Sequence, residues 1–204
     1  HIGSQKEYLS NSMLCKTGVG VDINFETEPF IIFSYHPVTT EYKTIKSDFN
    51  KIINAIEDLS IKVIALWPNA DAGSDEISQI IRMKREKSQL KNFRFYRNLE
   101  LNDYIACMNN AKCIIGNSSS GLRDGSFIGT PCVNIGTRQN MRDKGSNVIE
   151  VPIDKEKIIC TAKQQISIGK FKRDTLYGDG YASRRFSDLI GTLDLSLTQK
   201  VITY

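Results

Sequence analysis

Phe30-Ile31-Ile32-Phe33-Ser34-Tyr35, closed by His36-Pro37, is the stretch that decides the fold. It is short, nearly all apolar, and built from β-branched and aromatic residues. A strand with one wet face alternates apolar and polar residues. This run does not alternate, so both of its faces must be covered. The next segment changes period. Ile45, Phe49, Ile52, Ile53, Ile56 and Leu59 mark one face of a helix. A fully buried strand followed by an amphipathic helix begins a βαβ unit.

The same alternation continues outward from there. Lys62 to Trp67 reads as a second buried strand, stopped by Pro68. Ser74 is expected to cap the next helix, with Asp75 and Glu76 in its first turn and Ile77, Ile80 and Ile81 inward. Phe93 to Tyr96 is a third strand. Asn102 is expected to cap a helix carrying Leu101, Ile105 and Met108. Lys112 to Ile115, Pro131 to Ile135 and Asn147 to Val151 complete the predicted strands. Asp154 caps a helix with Ile158, Ile159, Ala162 and Ile166. A last helix is predicted from about Ala182 to Leu193, with Phe186, Leu189, Ile190 and Leu193 inward. The expected fold is α/β, a Rossmann-like parallel sheet over residues 29–195. Residues 1–28 read as a linker or loop region and 196–204 as a C-terminal tail.

Composition narrows the function classes. The 204 residues suit one domain with a real core. The net charge of +4 is spread thinly, and the densest basic stretch, Arg82 to Lys87, reads as a solvated helix face. Nucleic acid is therefore not an expected partner. No apolar run approaches the ~18 residues of a membrane span, and no signal-peptide pattern is visible. The five cysteines are odd in number and form no C-x-x-C pair, and there are only two histidines. Neither a disulfide framework nor a metal site is expected, and a reducing, cytoplasmic setting is. The chain starts without Met, which reads as a cut within a longer protein.

In such sheets, ligands bind beyond the carboxyl ends of the strands. Polar or Gly-rich clusters occupy those places here: His36 to Thr40, Pro68 to Ser74, Gly116 to Gly121, and Gly136 to Gln139. Gly116-Asn117-Ser118-Ser119-Ser120-Gly121 has small residues, hydroxyls and a helix start, which suit a phosphate; a Ser-capped turn has the same composition. It is neither a Walker loop nor a dinucleotide fingerprint. Asp124 suits ribose hydroxyls or simply the helix dipole. Arg138 suits a pyrophosphate or the surface. His36 follows a buried strand and reads as a donor or a structural residue. Asn69 and Asp71 bracket a turn that their own hydrogen bonding favours. Tyr177-Gly-Asp-Gly180 is most simply a turn before the last helix.

Together these motifs resemble the C-terminal half of UDP-N-acetylglucosamine 2-epimerases, and more closely the hydrolysing branch. They are H-P-V-T-T at His36, P-N-x-D-A-G at Pro68, G-N-S-S-S-G-x-R at Gly116, G-T-P-x-x-N-I-G-T-R-Q at Gly129 and Y-G-D-G-x-A at Tyr177. The resemblance implies one half of a GT-B two-domain fold, with the cleft between the halves. It implies that Ser118 and Ser119 bind the phosphates, with Asn117, Ser120 and Gly121 in the same site. It places His36, as a catalytic residue, and Arg138 by the pyrophosphate and sugar, and Asn69 and Asp71 on the cleft wall. Arg97, Asn98 and Leu99, with Tyr104 nearby, would face the uracil. The family usually has Glu where this chain has Asp124, which leaves ribose recognition less secure.

The implied reaction removes the C2 proton, expels UDP, and adds water to the resulting glycal, giving N-acetylmannosamine for sialic-acid-type sugars. A UDP-sugar substrate, no cofactor, and self-association of the full-length protein are implied with it. Other readings share the same residues. They are a GT-B glycosyltransferase, an epimerase for a 2,4-diacetamido-6-deoxy hexose, a non-catalytic UDP-sugar module, and a domain for an unrelated phosphorylated ligand.

Overall fold

The structure is a computed structural model that describes Leu9, Leu14 and residues 16–193. Its centre is a seven-stranded sheet. In chain order the strands are β1 (Val19–Gly20), β2 (Phe30–Ser34), β3 (Lys62–Leu66), β4 (Phe93–Tyr96), β5 (Ile114–Gly116), β6 (Cys132–Ile135) and β7 (Val148–Val151). Their order across the sheet is β1-β4-β3-β2-β5-β6-β7. All pairs are parallel except β1 with β4. The helices are α1 (Ile45–Asp58), α2 (Ser74–Glu86), α3 (Leu101–Asn110), α4 (Ser119–Leu122), α5 (Asp124–Ile128), α6 (Lys155–Ile168) and α7 (Ala182–Ile190).

β2 is central, paired with β3 on one side and β5 on the other, and all of its residues are buried. Its side chains alternate between two cores. Ile31 and Phe33 join the core under α1, α2 and α6, while Phe30 and Ile32 join the core under α3. This explains the unbroken apolar run. α1 buries Ile45, Phe49, Ile52, Ile53 and Ile56, the stripe read from its spacing. Each such side chain contributes roughly 1.5–3 kcal/mol by leaving water.

The local details differ in several places. α2 is preceded by Gly73 in the left-handed region (φ 96°), so Ser74 is its first residue and not its cap. α3 starts at Leu101 after Glu100, so Asn102 is inside the helix. α3 enters the core by its C-terminal half: Met108 is buried, but Leu101 is 70% exposed. Asp154 does cap α6, accepting from the Lys157 N–H at 2.9 Å. The largest difference is α7, where Phe186 is 64% and Leu189 55% exposed, with Ile190 and Leu193 also open. The stripe exists, but no described residue covers it.

The described part of residues 1–28, expected as loop, is loop for most of its length and adds the edge strand β1. Two residues are too few for a sequence period to reveal. Buried Arg94 holds this segment: its guanidinium donates to the carbonyls of Thr17 and Val21 and pairs with Asp22 at 2.6 Å. The expected tail at 196–204 lies outside the described residues. Among the described residues no helix is long and apolar enough to cross a membrane.

Candidate functional site

The chain runs outward from β2 to β3 and β4, then returns to place β5 on the other side of β2. This reversal opens a crevice between the ends of β2 and β5, where open α/β sheets take their ligands. His36 leaves the end of β2, and Ser118 leaves the end of β5. Both line one open cavity of about 260 Å³.

The floor of that cavity is set by hydrogen bonds. Asn117 is fully buried. Its side-chain amide accepts from the His36 N–H at 2.7 Å and donates to the His36 carbonyl at 2.8 Å. The carbonyl of Asn117 in turn accepts from Gln139 Nε2 at 2.7 Å and Arg138 Nη1 at 3.2 Å. One residue thus ties together the ends of β2, β5 and β6. The His36 ring receives the Asn69 N–H on Nδ1 at 3.3 Å, and Ser34 Oγ lies 3.4 Å from Nε2. Burial holds the imidazole below its ordinary pKa, Arg138 adds to this, and Asp71 works against it.

Ser118 caps α4, and its Oγ lies 3.0 Å from Ser120 Oγ, which is 2.6 Å from the Tyr104 hydroxyl. This chain of hydroxyls runs along the cavity wall. Burial pushes the Tyr104 phenol up, the bond to Ser120 counters it, and Asp124 adds to the rise. Arg97, Asn98 and Leu99, from the β4–α3 loop, close the opposite wall.

Most of the residues singled out in the sequence therefore come together, in different ways. His36, Asn69, Arg97, Leu99, Tyr104, Ser118 and Ser120 line the cavity. Asn117 and Arg138 meet beneath it. Asp71 lies on the exposed turn before α2 and reaches His36 through its charge. Ser119 is the half-buried first residue of α4. Gly121 does not face the cavity: a Cβ there would meet Cys132 Sγ at 2.6 Å, so the glycine lets α4 pack on β6. Asp124 begins α5 and lines a neighbouring cavity of about 570 Å³ with Arg123, Phe127 and Tyr177. Tyr104, between the two, senses its charge. Ser34, Trp67 and Gln139 also belong to the site or its support and were not singled out. Gln139 stood inside a quoted motif, so its signal was present. Among the described residues no group of three or more His, Cys, Asp or Glu is placed to hold a metal.

Residues 6–191 match a family model described as UDP-N-acetylglucosamine 2-epimerase. The chain belongs to that family. Among curated relatives, the Legionella pneumophila UDP-N,N'-diacetylbacillosamine 2-epimerase (hydrolyzing) is 33% identical over 161 residues, 79% of this chain and 42% of the relative. The Neisseria meningitidis UDP-N-acetylglucosamine 2-epimerase is 29% identical over 80% of this chain and 43% of its own length. The chain thus spans less than half the length of these two relatives. Among solved structures, Methanocaldococcus jannaschii UDP-GlcNAc 2-epimerase, in complex with UDP-GlcNAc and UDP, superposes with a TM-score of 0.63. That match covers 93% of this chain and 51% of the other, at 13% identity, and shows the shared fold. This member of the 2-epimerase family therefore has the Rossmann-like fold of one half of a GT-B protein, as its motifs implied.

Proposed function

We propose that the chain is the UDP-binding half of a hydrolysing nucleotide-sugar 2-epimerase. Its substrate is a UDP-linked 2-acetamido sugar, and for UDP-N-acetylglucosamine the products are N-acetylmannosamine and UDP. The observation that carries this reading is the convergence of His36, Ser118 and the Arg97–Leu99 loop on the crevice between β2 and β5, in a chain of this family. Loss of UDP develops charge on the departing pyrophosphate. The Arg138 guanidinium, the Ser118 and Ser119 hydroxyls and the His36 ring lower the barrier as fixed donors that need no reorganisation. Arg97, Leu99 and Tyr104 receive the uracil, and Asp124 the ribose from the neighbouring cavity. The setting is cytoplasmic, the full-length protein self-associates, and the product feeds sialic-acid-type sugar synthesis.

A second reading is favoured by the 33% identity to the bacillosamine enzyme. There the substrate is a UDP-linked 2,4-diacetamido-6-deoxy hexose, and the UDP half works in the same way.

Calorimetric titration with UDP and uridine tests the shared core of both. UDP binds, and Arg138→Ala and Ser119→Ala each weaken it roughly 10- to 100-fold, as expected for lost bonds to a charged group. Uridine affinity stays unchanged in both variants. Absence of UDP binding, or equal losses for UDP and uridine, contradicts the assignment.

A further inference from the structure

The cavity wall contains an arrangement that no ligand contact requires. The β2–β5 ladder pairs Ser34 with Gly116, and the next backbone bond runs from the Asn117 N–H to the Ser34 carbonyl at 3.1 Å. Beyond that point the strands separate. The Asn117 side chain then takes over, engaging both the N–H and the carbonyl of His36 at 2.7 and 2.8 Å. A primary amide has one donor group and one acceptor, like a peptide unit, so it adds one more rung to the ladder. Asp lacks the donor, Ser and Thr lack the reach, and Ala has neither.

The rung fixes where the His36 ring sits, and the ring's own partner fixes its proton. A backbone N–H only donates. The Asn69 N–H, 3.3 Å from Nδ1, therefore requires Nδ1 to be an acceptor. The ring is then neutral with its proton on Nε2, the nitrogen beside Ser34 Oγ at the cavity. We propose that Asn117 is a positioning residue that clamps His36, so that the Asn69 amide holds the imidazole as a neutral Nε2–H donor facing the ligand. Asn117 contributes no atom to the ligand. Its backbone carbonyl also holds Arg138 through a 3.2 Å bond, so both donors are tied to one buried residue, His36 through the side chain and Arg138 through the main chain.

The charged groups that act on the ring are Arg138, from the loop after β6, and Asp71, from the loop after β3. Arg138 disfavours a second proton and Asp71 favours it. Burial and Arg138 prevail, and the imidazole titrates below its ordinary value. The neutral state is thus maintained at pH 7 without ligand.

Only the role of Nε2–H toward a phosphate rests on the UDP reading. The tautomer and the clamp are properties of the ligand-free chain. Long-range proton–nitrogen correlation spectra of the imidazole rings measure both. With two histidines in the chain, His36→Gln assigns the signals. The wild-type ring is expected as a single neutral Nε2–H tautomer at pH 7. In Asn117→Ala the two tautomers mix, and the midpoint of the His36 titration rises toward 6.5. Asn117→Ser, too short to reach the His36 backbone, behaves in the same way, and it supplies the comparison if the alanine variant does not fold. UDP affinity falls roughly tenfold or more in both variants. A wild-type Nδ1–H tautomer or a charged ring overturns the proposal. So does an unchanged His36 spectrum in a folded Asn117 variant. Failure of the wild-type chain to bind UDP, with the spectra as expected, would instead remove only the UDP reading.

Discussion

Gly116 lies where β5 comes closest to β2, at φ +141°. A Cβ there would stand 1.9 Å from the Ser34 carbonyl oxygen, backbone that cannot swing aside. Gly116→Ala must separate the two central strands just below the crevice. It is expected to destabilise the fold by roughly 3 kcal/mol, with the loss read from urea midpoints. An effect within about 0.5 kcal/mol would contradict the packing described. Lys170 gives a second prediction, one that depends on pH. Lys170 is exposed along its stem, and its ammonium lines a cavity at the other end of the strands and donates to the buried Thr130 Oγ1 at 2.9 Å. Burial lowers its pKa to about 8, against about 10.5 for a free lysine. Below pH 8 the folded state carries a charge it disfavours, and above 8 it sheds the proton before the unfolded chain does. Stability from this group therefore rises from about pH 8 to about 10.5. Lys170→Met should be more stable than wild type at pH 7, and the gap should close by pH 10. A gap that is constant with pH would count against the burial effect.

At the scale of elements, the helices show which features of a pattern can be trusted. α1 buries the face that its spacing predicts because sheet and neighbours surround it. α7 carries an equally clear stripe, yet Phe186 and Leu189 remain open. A period marks the face that has apolar residues, and burial needs a surface to meet it. Phe186→Ser with Leu189→Ser should therefore change the thermal stability of this chain by no more than about 0.5 kcal/mol. A loss of 2 kcal/mol or more in thermal unfolding would show that the stripe is covered in solution. β1 is the opposite case. It has no readable pattern, and the bonds of Arg94 to Thr17, Val21 and Asp22 hold its segment against the sheet.

For the whole molecule, the decisive feature is the reversal of strand order at β2 and β5. It collects residues 36, 69, 97–99, 104, 118 and 120 on one crevice, although the chain separates them widely. Among the described residues no carboxylate lines that cavity. Abstraction of a sugar C2 proton needs a base, and a chain spanning less than half of its relatives need not supply one. The 204-residue chain should therefore bind UDP but release little N-acetylmannosamine from UDP-N-acetylglucosamine, as followed by product assay. Robust turnover by this chain alone would disprove that division of labour.

The sequence by itself determined the alternation of buried strands and helices, the parallel sheet and the family. Strand burial and helix faces are local periods, and the motifs are contiguous, so both are written along the chain. The places of His36, Ser118 and Arg138 beyond strand ends were legible for the same reason, since each follows a contiguous strand pattern. Tertiary structure alone decided what Asn117 and Gly121 do, because a buried amide or a missing Cβ takes its role from the atoms opposite. Gly121 faces Cys132, and Asn117 faces the His36 backbone. It also separated Asp124 from the His36 cavity and left α7 open. Those outcomes depend on distances between segments far apart in the chain, which no local pattern encodes.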